Sequence, residues 1–347
     1  MGDTRIIIGM PAGSLADPQR GGSLVTLLKQ AGFPTKGYDT GGPTTFPLTS
    51  FVVGWDGRPQ EFASQIALDE IDIAIGGSDW MNERRLEFKY EYGVDIPLEN
   101  VLSLERGQVR IVIINQDTRP CDGWLVDLLA RKPLVTMVSE MPYLALDWFQ
   151  RKASSLGFGA SHGGTYSVQK FKTPPKVEKG IVIYETWGKT EAKVVNGSVD
   201  FGLEITQSGS AIRNYGLNIA DVVMHSETGA WTNTGLRNNP EKYELARMVL
   251  LNLYGAVFAE HKVLLMFNGR KDDVKNLIGY LERNKLFADE PTLIEGSGFV
   301  EFSIQLDANS KDLPLARVRY ELAKLGATGI ETVPLESSIP GIDAINF

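Results

Sequence analysis

Short apolar runs that end in glycine- or serine-containing turns recur along most of this chain. Residues 5–10 form one such run, which ends at Pro11-Ala12-Gly13, and leucines at helical spacing follow over residues 24–31. Residues 71–75 form another, and the turn after it ends at Asp79, a residue type that often caps helices. Comparable runs occupy residues 109–114, 134–138, 181–184 and 199–205. Strands that alternate with helices in this way predict an α/β fold in which helices cover a parallel sheet.

The chain has 347 residues, which favours two or three domains because single hydrophobic cores rarely grow to this size. Asn239 followed by Pro240 predicts a helix start, and apolar residues at helical spacing extend this helix for about five turns. After residue 260 the pattern changes to strand, helix, two strands, helix and strand. This order is typical of a ferredoxin-like domain with its own core.

Composition and charge exclude several classes of protein. The formal net charge is −8, which argues against a nucleic-acid partner. The single cysteine, Cys121, excludes a disulfide within the chain. The three histidines lack the spacing of metal ligands, so structural or surface roles are predicted for His162, His225 and His261. No apolar run approaches the ~20 residues that span a bilayer, and the first run is too short for a signal peptide, so a cytoplasmic location without membrane contact is expected.

The segment at residues 200–213 carries the clearest chemical signal. Asp200 and Glu204 lie on one apolar strand, and a turn of small and hydroxyl-bearing residues follows it. Backbone amides of such a turn can surround one phosphate, and Gly209 lets the backbone approach it closely. Carboxylates upstream can accept hydrogen bonds from ribose hydroxyls. A sugar phosphate suits this pattern, although an ordinary strand, turn and helix with serine caps gives the same local sequence.

This segment resembles the phosphoribosyl-pyrophosphate loop of the ATP phosphoribosyltransferases, the first enzymes of histidine biosynthesis. The resemblance continues through residues 191–217, which end in Arg213-Asn214-Tyr215-Gly216-Leu217. Residues 325–336 are similar to the end of the regulatory domain in the long form of the family.

Three earlier segments agree with the same family in the same order. Residues 5–15 are similar to its opening strand and glycine loop. Arg58-Pro59-Gln60-Glu61 and residues 72–79 resemble its Arg-Pro-Gln-Asp and Asp-Leu-Gly-Ile-x-Gly-x-Asp segments. The resemblance therefore covers nearly the whole chain.

The family's architecture implies a periplasmic-binding-protein-like catalytic unit with two lobes, followed by the ferredoxin-like (βαββαβ) regulatory domain. Lobe I, on the acceptor side, would comprise residues 1–107 and 219–259. Lobe II, on the phosphoribosyl pyrophosphate side, would comprise residues 108–218. The regulatory domain would comprise residues 260–347, and the active site would lie in the cleft between the lobes.

The resemblance also implies roles for individual residues. Asp200 and Glu204 would be the catalytic carboxylates. Phosphoribosyl pyrophosphate would bind Gln207, Ser208, Gly209, Ser210 and Ala211. The acceptor, ATP in the family, would bind Ala12, Gly13, Ser14, Arg20, Arg58, Gly76, Gly77 and Asp79. Mg²⁺ would bridge the pyrophosphate, with protein ligands that the sequence does not identify.

The implied reaction is nucleophilic substitution at C1′ of the ribose. Pyrophosphate leaves, positive character develops on the sugar ring, and a ring nitrogen of the acceptor attacks the opposite face with inversion. Positioning and electrostatic stabilisation would supply most of the catalysis. Family members also suggest inhibition by histidine at the C-terminal domain and a homo-oligomer, either a hexamer or a dimer.

Three positions depart from the family pattern. Ala12 and Ser14 stand where relatives usually carry basic residues, so two cations that would hold substrate phosphates are missing. Ala211 replaces a threonine of the phosphate loop. Two alternatives to ATP phosphoribosyl transfer therefore remain: a paralogue that uses another heterocyclic acceptor, and a non-catalytic homologue that binds ligands or regulates.

Overall fold

The computed structural model describes residues 4–12, 15, 23–40, 42–287 and 292–347. Contacts divide the chain into two compact units. Unit 1 comprises Met1–Val25, Thr35–Met248 and Asn346–Phe347, and unit 2 comprises Thr26–Pro34 and Val249–Ile345. Among the described residues, no helix is both long and apolar enough to cross a bilayer.

Unit 1 is built on one mixed sheet with the strand order β2-β1-β3-β9-β4-β8-β5-β7-β6. The strands are β1 (Ile6–Pro11), β2 (Val52–Gly57), β3 (Ile73–Gly77), β4 (Leu98–Asn115), β5 (Leu134–Ser139), β6 (Tyr166–Lys170), β7 (Gly180–Glu185), β8 (Phe201–Thr206) and β9 (Asn218–Asn233). The helices of the first 258 residues are α1 (Leu24–Gln30), α2 (Pro59–Ala67), α3 (Ser78–Glu87), α4 (Cys121–Arg131), α5 (Pro142–Ser155), α6 (Thr190–Val195), α7 (Ser210–Asn214) and α8 (Pro240–Phe258). The predicted alternation of strands and helices is confirmed, but the sheet is mixed rather than parallel, because β9 and β4 run antiparallel to their neighbours.

Two long antiparallel strands, β4 and β9, join the two halves of this sheet. Their ladder runs from Leu98 opposite Asn233 to Asn115 opposite Asn218, with several register shifts. Near one end β9 pairs with β3, and near the other end β4 pairs with β8. The sheet thus has a first half, β2-β1-β3, and a second half, β8-β5-β7-β6, connected through the crossing strands.

Parallel pairing inside each half brings the carboxyl ends of its strands to a common edge. In the first half β1 is parallel to both β2 and β3. In the second half β5 is parallel to both β7 and β8. Turns that follow such strands lie side by side, which is where α/β proteins commonly bind ligands.

The core of the second half is rich in aromatic side chains. Phe201 on β8 is fully buried and contacts the rings of Trp124 on α4 and of Trp148 and Phe149 on α5. Centroid separations of 5.3–6.5 Å place these rings at favourable stacking distances. This packing holds β8, and the turn that follows it, against two helices.

Some elements of unit 1 go beyond what the sequence patterns indicated. The strand predicted at residues 109–114 is confirmed as the last part of β4, which is 18 residues long. The sequence analysis did not identify β2, the edge strand β6 or a π-helical turn at Gly159–Gly163.

Unit 2 carries the predicted βαββαβ order, which is confirmed. Its elements are β10 (Lys262–Arg270), α9 (Val274–Arg283), β11 (Thr292–Glu295), β12 (Phe299–Asp307), α10 (Leu315–Lys324) and β13 (Thr328–Pro334). The sheet order is β11-β12-β10-β13, and all of its pairs are antiparallel. Phe267 and Phe302 stack at 4.8 Å in its core.

The boundaries predicted for the two lobes stay predictions. The lobe boundary predicted between residues 107 and 108 falls inside β4. It lies between Arg106 and Val109, where the register of β4 against β9 shifts.

Candidate functional site

The carboxyl edge of the second half-sheet brings together three turns. Glu140 follows β5, Trp187 and Gly188 follow β7, and the turn at residues 206–210 follows β8. The amide of Gly188 donates a hydrogen bond to the Glu140 carboxylate, so the first two turns are directly connected. This edge is the natural place for a ligand in an α/β sheet.

The turn at residues 206–210 exposes the side chains proposed to bind phosphate. Gln207, Ser208 and Ser210 are exposed, whereas Gly209 is buried and has a φ of 75°. The amide of Gly209 donates to Thr206 Oγ1 at 2.9 Å, which shapes the turn. The left-handed backbone at Gly209 explains why glycine stands at this position.

Two arginines flank Gly209, and the sequence reasoning missed both as site residues. A β-carbon placed on Gly209 would lie 3.0 Å from Arg213 Nη1 and 3.7 Å from Arg110 Nη2. Arg213 Nη1 donates to the carbonyl oxygen of Ser208 at 3.0 Å. Arg110 is half-buried on β4 opposite Thr206, and among the described residues its guanidinium has no hydrogen bond or ion pair. A half-buried, unpaired cation beside a glycine turn favours anion binding.

Glu204 is the acidic group nearest this turn along β8. Burial, followed by the negative charges of Glu191 and Glu140, raises its pKa to about 7. A hydrogen bond from the Ile205 amide to the Glu204 carboxylate, at 2.9 Å, opposes this shift only in part. Because the ionised carboxylate is costly here, a cation or a hydroxyl donor would stabilise it.

Asp200 does not join Glu204 in one site, so that expectation is corrected. Asp200 precedes β8, whereas the turn follows it, and a six-residue strand separates the two by roughly 20 Å. The Asp200 carboxylate accepts hydrogen bonds from Lys132 and from the amide and hydroxyl of Thr136, at 2.9 and 3.0 Å for the latter two. The residue therefore fastens the start of β8 to β5.

The carboxyl edge of the first half-sheet gathers some of the residues predicted for the acceptor. Ala12 is exposed after β1, and its amide donates to the Gly57 carbonyl oxygen at 3.1 Å. Arg58 is exposed just before α2, and Gly77 ends β3 beside them in the sheet. Gly13, Ser14 and Arg20 lie outside the described residues.

Gly76 and Asp79 are buried in ways that suit structural roles. A β-carbon on Gly76 would lie 2.8 Å from the methyl group of Met81. Asp79 is only 6% exposed, and its carboxylate accepts the amide of Trp80 at 2.9 Å. Burial raises the pKa of Asp79. Both residues are thus largely shielded from solvent, and Asp79 lies within the first turn of α3 rather than capping it.

A cavity of about 500 Å³ lies where β4 and β9 cross. Its lining comprises Ser78, Asn100, Gln108, Val109, His225, Ser226 and Glu227. Ser78 follows β3 at the carboxyl edge of the first half-sheet, and His225 lies opposite Arg110 in the β4–β9 ladder. The cavity therefore extends from the first half-sheet toward the strand pair that carries Arg110.

Metal ligands do not form a preassembled cluster in the described part of the chain: there, no group of three or more His, Cys, Asp or Glu side chains is arranged to hold a metal ion. Of the histidines, His162 is buried and hydrogen-bonded to Ser161 and the Lys132 carbonyl oxygen, and His225 is exposed.

Comparison with known proteins identifies a family that this chain matches over more than half of its length. The sequence profile of a family described as HisG, ATP phosphoribosyltransferase, matches residues 58–252. The chain is 26% identical over 343 residues to the ATP phosphoribosyltransferase of Trichlorobacter lovleyi, a match that covers 97% of this chain and 99% of that protein. It is 26% identical over 286 residues to ATP phosphoribosyltransferase 1 of Geobacter sulfurreducens, covering 81% and 83% of the two chains.

Among solved structures, the ATP phosphoribosyl transferase (HisG:HisZ) complex from Thermotoga maritima is similar over 72% of this chain and 98% of that chain, with a TM-score of 0.48 and 16% identity. The region that matches the family profile includes both crossing strands and the turn at residues 206–210.

Proposed function

Because the chain belongs to the HisG family of ATP phosphoribosyltransferases, we propose that it transfers ribose 5-phosphate from phosphoribosyl pyrophosphate to a ring nitrogen of ATP, the first step of histidine biosynthesis. The enzyme class, a transferase, follows from the family. One observation carries the assignment of the site: an exposed turn with a left-handed Gly209 lies beside the guanidinium of Arg110, which has no hydrogen bond or ion pair among the residues that the structure describes.

The turn at residues 206–210 binds the 5′-phosphate in this proposal. Backbone amides around Ser208 and Gly209 supply donors, and the hydroxyls of Ser208 and Ser210, 3.0 Å apart, supply two more. Arg110 adds a charge-assisted contact, which is among the stronger hydrogen bonds in proteins. Ala211 lacks a hydroxyl, and Arg110 compensates for that missing donor.

In the same proposal, the Glu204 carboxylate accepts hydrogen bonds from the ribose hydroxyls. Its position at the carboxyl end of β8 places it just upstream of the phosphate turn. An ionised carboxylate also favours the positive character that develops on the sugar ring, because opposite charges attract strongly at a half-buried site. Asp200 has no part in this step.

Glu204 is the carboxylate that would contact Mg²⁺. Burial, followed by the charges of Glu191 and Glu140, raises its pKa, and a divalent cation would favour its ionised form. Mg²⁺ usually takes only one or two protein carboxylates and completes its shell with substrate phosphates and water. When bound, the ion supplies charge neutralisation for the departing pyrophosphate.

The acceptor enters from the carboxyl edge of the first half-sheet, near Ala12, Arg58 and Gly77. Its ring nitrogen attacks C1′ from the face opposite the pyrophosphate, which gives inversion. The chain's own contribution is to hold the two substrates in line and to stabilise charge, without a covalent intermediate.

Pyrophosphate release tests the proposal. The intact protein is incubated with phosphoribosyl pyrophosphate, Mg²⁺ and one candidate acceptor at a time. Release with ATP supports the proposed reaction, and release only with another heterocycle identifies a different acceptor. Tight binding of phosphoribosyl pyrophosphate without turnover on any base would instead establish a binding homologue.

A further inference from the structure

Trp187 is an exposed indole at the carboxyl edge of the second half-sheet. It follows β7, between the turns that carry Glu140 and residues 206–210. Its side chain is 66% exposed, and among the described residues it has no hydrogen bond and no aromatic partner. A large side chain that is mostly exposed at a ligand-binding edge is available to contact a ligand.

The backbone on both sides of Trp187 is held firmly. The amide of Thr186 donates to the Ser139 carbonyl oxygen at 3.0 Å, and the amide of Gly188 donates to the Glu140 carboxylate. Lys193 Nζ donates to the Gly188 carbonyl oxygen at 2.6 Å. Because the loop is already ordered, stacking on the indole costs little additional backbone entropy.

The indole of Trp187 suits a flat ring rather than a phosphate, because a neutral aromatic face stacks on other rings and carries no charge that would hold an anion. On the acceptor side, Ala12 and Ser14 carry no charge for a triphosphate. Bases stack well on aromatic side chains irrespective of their hydrogen-bonding pattern.

We propose that Trp187 stacks on the heterocycle of the acceptor and determines acceptor specificity, so that the enzyme recognises its acceptor mainly by the aromatic ring and only weakly by the triphosphate. The substrate class is then a purine-like nucleoside or nucleotide. This inference rests on the proposed transferase function and identifies the residue that selects the second substrate.

Fluorescence tests binding without requiring turnover. The chain has six tryptophans, so wild type is compared with Trp187→Phe and with Trp55→Phe, a matched control on the edge strand β2 whose indole is 42% exposed. Adenosine and ATP should quench wild type and the Trp55 variant, and the quenching should disappear in Trp187→Phe. Inorganic tripolyphosphate should quench none of them. Equal quenching in both variants, or none in wild type, would overturn the inference.

Kinetics test specificity in the full reaction. Trp187→Ala should raise the KM for the acceptor at least about fivefold and leave the KM for phosphoribosyl pyrophosphate within twofold, because loss of base stacking affects one substrate. Trp187→Phe should restore most of the acceptor affinity, and Trp55→Ala should behave like wild type. A change in sedimentation of Trp187→Ala without a change in KM would assign the indole to a subunit contact and contradict the proposal.

The two hypotheses fail in different ways. If wild type releases no pyrophosphate with any acceptor, the proposed reaction is wrong, and the fluorescence titration still decides whether Trp187 binds a heterocycle. If pyrophosphate is released and Trp187→Ala has the wild-type KM for the acceptor, the reaction stands and the role of Trp187 is wrong.

Discussion

Gly209 combines a left-handed backbone with very little free space. A side chain there meets Arg213 at 3.0 Å and Ile219 at 3.3 Å, and it takes up the space through which a phosphate would approach the amides. At a φ of 75° any β-branched residue is also strained. The position therefore tests the proposed phosphate site directly.

Gly209→Val should weaken phosphoribosyl pyrophosphate binding by about a hundredfold or more, since two or more charge-assisted contacts are lost. Calorimetric titration in the presence of Mg²⁺ measures the effect. Gly157→Val is the matched control, because Gly157 also has a positive φ, of 85°, but has no neighbour within 4 Å of a β-carbon. Wild-type affinity in Gly209→Val would remove the turn from the site.

Glu204 predicts a pH dependence of the reaction. Its pKa of about 7 means that the carboxylate required by the proposal forms as the pH rises from 6 to 8. We expect kcat/KM to increase through this range with an apparent pKa near 7 and to level off above it. Glu204→Gln should lower the rate and remove this rise. A profile with the same inflection in Glu204→Gln would assign the titration to another group.

Arg110 shows what sequence reasoning about single residues cannot supply. An isolated arginine within the apolar run at residues 109–114 gives no hint of a partner. Its place beside Gly209 follows from the register of β4 against β8, in which Arg110 lies opposite Thr206. Asp200 is the converse case: the two carboxylates suggested a shared site, but Asp200 lies at the end of β8 away from the turn, where it binds Lys132 and Thr136.

Helices α3 and α5 are linked by one buried carboxylate. Glu83, on α3, is 6% exposed and accepts the amides of Tyr143 and Leu144 in the first turn of α5, at 2.9 and 2.7 Å. Burial raises its pKa to about 8, with a smaller increase from Glu87 and an opposing effect of Arg84. Glu83 thus joins the helix that follows β3 to the helix that follows β5.

Replacement of Glu83 should change stability. Glu83→Ala leaves two amides of α5 without partners and should lower the free energy of unfolding by roughly 1–3 kcal/mol. Glu61→Ala, an exposed position on α2, should change it by less than about 0.5 kcal/mol. Urea unfolding of both variants at pH 6 makes the comparison, and equal values would mean that the buried contact contributes nothing.

The raised pKa of Glu83 also predicts how the stability of the protein changes with pH. Because its folded pKa, about 8, exceeds the unfolded value of 4.5, the folded state binds the proton more tightly. Its contribution to stability is therefore present at low pH and is lost as the pH rises from about 4.5 to about 8. Wild type should lose stability over this range more steeply than Glu83→Gln, in which no proton is released. Parallel curves would show that Glu83 does not titrate there.

Helices and strands were predicted best from the sequence where the spacing of apolar residues was uninterrupted. Helix α8 and the six elements of unit 2 follow clear apolar patterns and were found. Strand β9 was missed because Asp221, His225 and Glu227 break its apolar pattern. These polar residues are accommodated because the strand is only half-buried over its first part, a tertiary property that local sequence does not reveal.

For the whole molecule, we predict control by histidine through unit 2. This unit contains a cavity of about 870 Å³, whose walls include Lys262, Ser303, Gln305, Asp307 and Asp312. The mixed charges suit a zwitterionic amino acid. Histidine should reduce activity, and coupling energies of the usual size correspond to roughly 5- to 150-fold changes in affinity.

A cavity-filling variant provides the test. Ser303→Trp should abolish inhibition by histidine and leave the uninhibited kcat unchanged, whereas Glu301→Trp, on the same face of β12 but outside the cavity, should remain sensitive. Equilibrium binding adds a second measurement, because histidine must weaken substrate binding by the same factor as substrates weaken histidine binding. Inhibition that persists in Ser303→Trp would place the effector elsewhere.

The crossing of β4 and β9 restricts how unit 1 can move. Because β4 and β9 are hydrogen-bonded to each other over most of their ladder, we expect the half-sheets to rotate mainly about an axis across this pair. The ladder is already interrupted between Ser103 and Arg106 and between Arg106 and Val109, so bending there breaks few hydrogen bonds. Capture of the first substrate and escape of the last product would then use the same rotation in opposite senses, and a substitution that stiffens this short stretch would slow both.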